Sequence, residues 1–194
     1  MKSIDVKGTA RNEFGKKASK DLRAKNLIPC NLYGVEKDEK GLPVAKSFMV
    51  TNEEVRNLVY SPDIFSVNLT IDGVEVKAVM REIQFHPVKD NILHIDFYQI
   101  TEEKPIVMAV PVKLNGLAEG VKAGGKLEQI LRRVKVKALY TAIPEKIDID
   151  VTPLGIGNSF KVGDIKIEGL QCVSPKEAVV CTVAATRGSA KKSE

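Results

Sequence analysis

The chain has 194 residues, is 43% hydrophobic and 28% charged, and carries a formal net charge of +5. This composition indicates a globular protein, and the length allows one domain or two. Its aromatic residues make up 5% of the chain and include no Trp, so surfaces on which nucleic-acid bases could stack are few.

The cysteines and the apolar segments exclude several classes of protein. Cys30, Cys172 and Cys181 are an odd set without CxxC spacing, which argues against a disulfide framework and a structural zinc site. Residues 1–17 lack the apolar core of a signal peptide. The longest purely apolar stretch, residues 106–110, is too short to cross a bilayer. We therefore expect a cytoplasmic protein without a metal or other cofactor.

The positive charge is concentrated at the beginning of the chain. Residues 1–25 contain eight Lys and Arg residues against three acidic residues, which accounts for the whole net charge of +5. Such a localised surplus indicates a polyanionic partner, which could be a nucleic acid, an acidic protein surface or an anionic membrane surface.

The first predicted elements are a strand, a helix and a second strand. Apolar and polar residues alternate over residues 4–9, which is the pattern of a half-buried strand. Residues 17–25 suit a short helix because Ala18 and Leu22 lie four residues apart and no Gly, Pro or β-branched residue interrupts them. Residues 28–34 are typical of a strand closed by a glycine.

A loop, a strand and a second helix are predicted next. Residues 35–43 form a polar, hairpin-like loop, and the residues from 44 to 50 are typical of a strand. Thr51 is followed three residues later by Glu54, which is the capping-box pattern at the beginning of a helix. Pro62 ends this helix.

The clearest hairpin in the chain lies between residues 64 and 88, where two alternating strands meet at Asp72-Gly73. Residues 92–100 add another strand. Polarity rises and a Pro appears over residues 101–105, so we place a domain boundary there.

Residues 101–187 are predicted to form a second, β-rich domain, because alternating runs are separated by Gly and Pro turns. The Gly-rich residues 116–126 lack the GK[ST] ending of a Walker loop, so a turn or a flexible loop is expected. Three basic residues share one face of a predicted strand, namely Arg133, Lys135 and Lys137. We interpret them as a solvated face. Residues 188–194 have no apolar anchor and are predicted to be a disordered tail.

The first predicted helix has a one-sided polar surface, which we call the basic ridge. With a step of about 100° per residue, four residues fall within one sector of the helix: Lys16, Ser19, Lys20 and Arg23. Ala18 and Leu22 fall on the opposite side. Asp21 lies off the ridge, four residues from both Lys17 and Lys25, with which its charge is expected to pair. The ridge suits phosphate contacts, but a solvated face explains it about equally well.

A polar face is also predicted on the strand over residues 92–100. His94 and Asp96 are two residues apart and project from the same side together with Tyr98, whereas Ile95 and Phe97 project toward the core. Such a face could contact base edges or 2′-hydroxyl groups. A solvated strand face is the simpler interpretation.

Gln84 and His86 form a similar pair one strand earlier, with Phe85 turned inward. The only two histidines could, with Asp96, be metal ligands or a catalytic pair that activates Cys30 as a nucleophile. No third close ligand and no nucleophile motif supports either interpretation. We therefore expect no catalytic residue.

Several motifs occur in an order that closely resembles one family. They are R-x-x-x-G-K-x-A-S-[basic]-x-L-R, I-P-x-x-L-Y-G, Q-x-H-P-V and I-L-H-I-D-F. Together they resemble the 5S-rRNA-binding protein family of the bacterial large ribosomal subunit, in the two-domain form called general stress protein CTC. The second half, from "VPVKLNGLAEG" to "SFKVGDI", is similar to the C-terminal β domain of that family. The resemblance spans about residues 3–184.

The resemblance implies a mainly β fold, with an N-terminal antiparallel β-barrel and short helices over residues 1–100 and a β domain over residues 101–187. It implies a structural constituent of the large subunit that binds the loop E region of 5S rRNA. The residues at the family's RNA-contact positions are Arg11, Lys16, Ser19, Lys20, Arg23, Tyr33, Gln84, His94 and Asp96, with His86 as a weaker candidate. The family usually has two arginines where this chain has Lys20 and Asp21, which removes a bidentate fork and one phosphate contact.

Two other functions stay open beside this one. A nonspecific single-strand binder or RNA chaperone would need several exposed aromatic residues, and the chain offers few beyond Tyr33 and Tyr98. A hydrolase would use Cys30 with His94. In the family interpretation, Asp96 can accept hydrogen bonds from base amino groups or orient a neighbouring basic side chain, but it cannot contact phosphate.

Overall fold

The computed structural model describes residues 2–34, 44–101, 103–165, 167 and 169–186. The chain forms two compact units that divide between Lys104 and Pro105, and the boundary was predicted over residues 101–105. The predicted loop over residues 35–43 and the predicted tail over residues 188–194 lie outside the described residues. No helix in the described part is long and apolar enough to cross a membrane.

The first unit is a closed barrel. Its described elements are β1 Lys2–Ala10, α1 Lys16–Ala24, β2 Leu27–Tyr33, β3 Lys46–Thr51, α2 Asn52–Val59, β4 Phe65–Ile71, β5 Val74–Phe85 and β6 Ile92–Gln99. Around the barrel the strands follow the order β1-β3-β2-β6-β5-β4. The mainly β class is confirmed. The barrel is mixed rather than wholly antiparallel, because β1 runs parallel to β4 and β2 runs parallel to β6.

Alternating residues of the strands fill the barrel. Phe97 and Phe48 are both 0% exposed and their ring centroids lie 5.7 Å apart. Gly8 of β1 makes room for this pair, because a Cβ atom at Gly8 would lie 2.7 Å from Cδ2 of Phe48. Val55 and Leu58 of α2 are also buried in this core, so one side of α2 packs against the core of the barrel.

The beginning of α2 differs from the prediction. Thr51 precedes the helix in an extended conformation, but its side chain makes no capping hydrogen bond. The Glu54 carboxylate instead accepts a hydrogen bond from the backbone N–H of Lys7. The residues of β1 that pair with β3 are Thr9 and Ala10, so the Lys7 N–H has no β3 partner in register and Glu54 takes that place.

The hairpin between β4 and β5 is confirmed at the predicted turn. Ile71 pairs with Val74, and the two residues between them have positive φ, 47° at Asp72 and 88° at Gly73. This is the geometry of a two-residue turn with both central residues left-handed, which asparagine, aspartate and glycine adopt most easily.

The described strands and α-helix of the second unit are β7 Ile106–Asn115, α3 Glu119–Lys122, β8 Lys126–Gln129, β9 Arg133–Ala138, β10 Ile147–Asp150, β11 Ser159–Lys161, β12 Gln171–Cys172 and β13 Val179–Ala184. They form one sheet in the order β10-β7-β9-β12 and a second in the order β11-β13-β8. Val110, Val134 and Val136 are 0% exposed, so the alternation predicted for this half is confirmed.

The Gly-rich segment of the second unit is packed rather than flexible. It forms α3 and a turn, and Gly120 is buried. A Cβ atom at Gly120 would lie 2.7 Å from the backbone of Gly155, and one at Gly125 would lie 2.7 Å from the Gly120 carbonyl oxygen. The glycines therefore permit close approach of two chain segments.

Candidate nucleic-acid interface

Arg11 and Gly15 organise the beginning of α1. Gly15 precedes the helix with φ 102°, a conformation that favours glycine. The guanidinium of Arg11 donates hydrogen bonds to Ser19 Oγ at 2.8 Å and to the Glu13 carbonyl oxygen at 2.6 Å. It also lies 5.6 Å from the ring centroid of Phe14. Arg11 and Ser19, both predicted contact residues, are therefore bonded to each other.

The basic ridge of α1 has an exposed part and a partly buried part. Lys16 and Lys20 are exposed, whereas Ser19 and Arg23 are half-buried. Arg23 Nη1 donates to the carbonyl oxygen of Leu93 in β6 at 3.3 Å. The residues on the opposite side, Ala18 and Leu22, are half-buried as expected, and α1 has no fully buried residue. The two lysines therefore project to solvent from a helix that packs against β2 and is hydrogen-bonded to β6 through Arg23.

Asp21 is exposed but does not pair as predicted. Among the described residues, no ion pair joins its carboxylate to Lys17 or Lys25. Exposed pairs four residues apart on a helix contribute only about 0.3–0.5 kcal/mol, which is too little to fix such side chains in one arrangement. Asp21 therefore stays a solvated carboxylate that lies off the ridge.

Four predicted contact residues lie together on the outer wall of β2, β6 and β5, and we call them the reading face: Tyr33, Gln84, His94 and Asp96. The parallel pairing of β2 with β6 aligns Tyr33 with Tyr98. The antiparallel pairing of β6 with β5 aligns His94 with Gln84. Ile95 and Phe97, on the same strand, are 0% exposed, so the predicted alternation of β6 is confirmed.

His94 and Asp96 are in contact on this face. His94 Nδ1 lies 3.2 Å from Asp96 Oδ1, and each side chain is 24% exposed. A carboxylate beside one ring nitrogen orients the imidazole and leaves the other nitrogen, Nε2, for an external partner. Asp96 thus occupies the position expected of a residue that orients a neighbouring basic side chain.

Two residues next to the reading face, Asn31 and Arg81, were not predicted from the sequence. Asn31 aligns with Asp96 across β2 and β6, and its Oδ1 accepts a hydrogen bond from Ser47 Oγ at 2.9 Å. Its position two residues before Tyr33 could have identified it. Arg81 is exposed, and its guanidinium carbon lies 5.8 Å from the Tyr33 ring centroid and 5.9 Å from that of Tyr98.

Register shifts in β5 explain why Arg81 was missed and why Phe85 was placed wrongly. The pairing with β6 shifts between Met80 and Glu82 and again between Gln84 and Phe85. Each shift breaks the two-residue alternation on which the prediction relied. As a result Phe85, which was predicted to face inward, is 41% exposed.

His86 lies outside the reading face, in the turn that follows β5. Its Nδ1 accepts hydrogen bonds from the backbone N–H groups of Val88 and Lys89, each at 3.2 Å. Its own backbone N–H donates to the Asn91 carbonyl at 2.8 Å. These bonds give His86 a local role in fixing the turn between β5 and β6.

The structure offers no catalytic or metal-binding arrangement at these residues. Cys30 is 0% exposed and faces the barrel interior, where burial raises the pKa of its thiol well above the ordinary range. His94 projects from the outer wall of the barrel, so it cannot activate that thiol. Within the described residues, no group of three or more His, Cys, Asp or Glu side chains could hold a metal ion.

Burial of the Cys30 thiol predicts a pH dependence of stability. A thiol whose pKa is raised by folding stabilises the folded state fully at low pH, and this contribution is lost as the pH rises above the pKa of the unfolded thiol, about 8.5. The difference in unfolding free energy between wild type and Cys30→Ala should therefore stay constant from pH 6 to 8 and fall by about 2 kcal/mol by pH 10. Urea unfolding at each pH measures it, and a constant difference throughout would contradict it.

Comparison with known proteins gives matches over both units. A family model described as the Ribosomal L25p family matches residues 6–97, and one described as Ribosomal protein TL5, C-terminal domain, matches residues 105–187. Proteins called large ribosomal subunit protein bL25 from Phocaeicola vulgatus, Bacteroides thetaiotaomicron and Porphyromonas gingivalis are 60%, 55% and 53% identical to this chain. Each match covers 97% of this chain and 95–96% of the relative.

Proposed function

This chain belongs to the bL25 family of large ribosomal subunit proteins, in its two-domain form, and from that premise we propose that its barrel unit binds 5S rRNA at the loop E region. Membership of this family makes the chain a structural constituent of the large ribosomal subunit rather than an enzyme. The proposal includes a cytoplasmic, ribosome-associated location.

One observation carries the proposal: the basic ridge adjoins the reading face. Arg23 of the ridge donates to the carbonyl oxygen of Leu93, the residue directly before His94. Two exposed lysines, Lys16 and Lys20, therefore lie on a helix that is joined by Arg23 to a wall of hydrogen-bonding side chains on a closed barrel. Phosphates and groove atoms of one RNA helix lie next to each other in the same way.

The ridge is proposed to supply most of the affinity. Lys16 and Lys20 are exposed and would contact phosphates, releasing counterions from the RNA. Binding should therefore weaken steeply as salt rises. Arg11 and Ser19 are bonded to each other, so their proposed contribution is to fix the beginning of α1 as well as to contact the backbone.

The reading face is proposed to supply specificity. Tyr33, Gln84 and His94 would contact 2′-hydroxyl groups and base edges in a minor groove, which in RNA is wide and shallow. Asp96 would orient His94 and accept a hydrogen bond from a base amino group. The guanidinium of Arg81, positioned over two tyrosine rings, adds a preoriented donor at the border of this face.

Replacement of Asp96 by alanine tests the reading role. We expect Asp96→Ala to reduce the preference for 5S rRNA over an unrelated RNA duplex by about 1–2 kcal/mol, in the range of one lost base contact. Electrophoretic mobility shifts with both RNAs at several salt concentrations measure this preference. Wild-type affinity for 5S rRNA no better than for the unrelated duplex would overturn the proposed function and would favour a nonspecific RNA binder.

The matched control is Glu82→Ala. Glu82 is an exposed carboxylate that aligns with Asp96 across β5 and β6, so its removal changes the charge of the same surface by the same amount. Both variants lose one repulsive charge and bind all RNAs somewhat more tightly for that reason. If Asp96→Ala only strengthened binding to both RNAs as Glu82→Ala does, the reading role would be wrong.

A further inference from the structure

The second unit carries a regular row of exposed basic side chains, and these have no part in the function proposed for the barrel. Three residues of β9 project from one side of the sheet and are exposed, and we call them the basic ladder: Arg133, Lys135 and Lys137. The alternate residues of β9, from Val134 to Ala138, are buried. Side chains two residues apart on a strand are about 6.6–6.8 Å apart, so the ladder is an evenly spaced line of three cations.

The strand on one side of the ladder offers it no acidic partner. Each cation aligns with an uncharged residue of β7: Arg133 with Pro111, Lys135 with Ala109 and Lys137 with Val107. These are small side chains at the surface, and Val107 is 49% exposed.

The other side of β9 is also uncharged where it is described. Lys137 aligns with Gln171 of β12, and the backbone N–H of Lys135 donates to Ser174 Oγ at 3.1 Å. Among the described residues, no salt bridge involves any of the three ladder cations.

Other lysines of the same unit do have acidic neighbours. Lys113 aligns with Asp148 across β7 and β10, and Lys126 Nζ lies 2.9 Å from Glu128 Oε1. Opposite charges placed across strands stabilise a sheet, whereas like charges side by side destabilise it. Three cations in a row, each aligned with an uncharged residue of β7, therefore carry an electrostatic cost within the folded chain that an external anion would relieve.

We propose that the basic ladder binds the phosphate backbone of a second ribosomal RNA segment, separate from the 5S rRNA site. The shape of the surface supports backbone contact rather than base contact, because neither β7 nor β9 contains an aromatic residue on which a base could stack. The row of cations by itself indicates a partner that presents phosphates. Ribosomal RNA is chosen among such partners because the chain belongs to a ribosomal protein family.

The experiment compares two full-length triple variants with wild type. The ladder variant carries Arg133→Gln, Lys135→Gln and Lys137→Gln. The control variant carries Lys113→Gln, Lys122→Gln and Lys126→Gln, which removes the same number of positive charges from other exposed positions of the same unit. Affinity for 5S rRNA is measured first. Each protein is then saturated with 5S rRNA, and its binding to deproteinised 23S rRNA is measured between 0.05 and 0.3 M salt.

The ladder variant is expected to bind 23S rRNA at least about tenfold more weakly at 0.2 M salt, with a salt slope lower by about 2–3, and to bind 5S rRNA as wild type does. The control variant should change far less. Equal loss in both variants, or no loss in the ladder variant, would overturn the proposal. A ladder variant that binds 23S rRNA normally yet washes off large subunits would show a protein partner instead. If wild type fails to bind 5S rRNA, only the function proposed for the barrel fails, and the 23S measurement without 5S rRNA still decides for the ladder.

Discussion

Replacing Phe97 with alanine is expected to lower the free energy of unfolding of the barrel by about 3–5 kcal/mol. The Phe97 ring is 0% exposed and packs against Phe48 at a centroid distance of 5.7 Å. Its removal would leave a cavity directly beneath Asp96 and Tyr98, which project from the same strand. Because the chain has two units, unfolding of the barrel is best followed by alkylation of the buried Cys30 at increasing urea, read by mass spectrometry.

Phe85→Ala is the matched control. It removes the same ring from the neighbouring strand β5, but Phe85 is 41% exposed, so its loss should cost less than about 1 kcal/mol. Equal destabilisation by the two substitutions would contradict the register shift that turns Phe85 outward.

The second large effect is expected at the ridge. Each phosphate contact adds about 0.7–0.9 to the slope of log affinity against log salt concentration. One contact therefore raises the affinity roughly tenfold at 0.05 M salt, compared with its contribution at 1 M salt. Lys16→Ala with Lys20→Ala should therefore weaken 5S rRNA binding about 100-fold at 0.05 M salt and only about tenfold at 0.2 M. Mobility-shift titrations over this salt range measure both the loss and the slope.

The control for the ridge uses Lys17→Ala with Lys25→Ala. These two lysines are also exposed and lie on the same helix or at its end, but off the ridge. Their replacement should lower the affinity for 5S rRNA only through the overall electrostatic field of the protein. The salt slope should change by much less than it does on loss of two phosphate contacts. A slope change as large as that of the ridge variant would mean that charge density on α1, rather than a directed ridge, attracts the RNA.

Local patterns predicted much of this fold. The Asp72-Gly73 turn, the buried alternation of Ile95 and Phe97, and the exposed row on β9 depend on neighbouring residues, whose side-chain direction follows from strand geometry alone. The basic ridge was found in the same way, because the position of a residue around a helix follows from its number.

Features that depend on distant parts of the chain were not predicted. The Lys7 N–H that binds Glu54 lacks a β3 partner only because of how the barrel closes, and this geometry replaces the capping box expected at Thr51. The position of Arg81 over Tyr33 requires a bulge in one strand and parallel pairing between two others. Neither leaves a periodic signal in the sequence.

The absence of any fully buried residue in α1 has a consequence for the thermodynamics of binding. Segments with few buried contacts open locally at a lower free energy than strands of the core, so α1 should exchange between closed and open forms more readily than β2 or β6. RNA that recognises only the closed helix binds with an affinity reduced by the closed fraction. Any substitution that alters the fraction of molecules with α1 closed, even one far from every RNA contact, would therefore change the affinity for RNA in the same proportion.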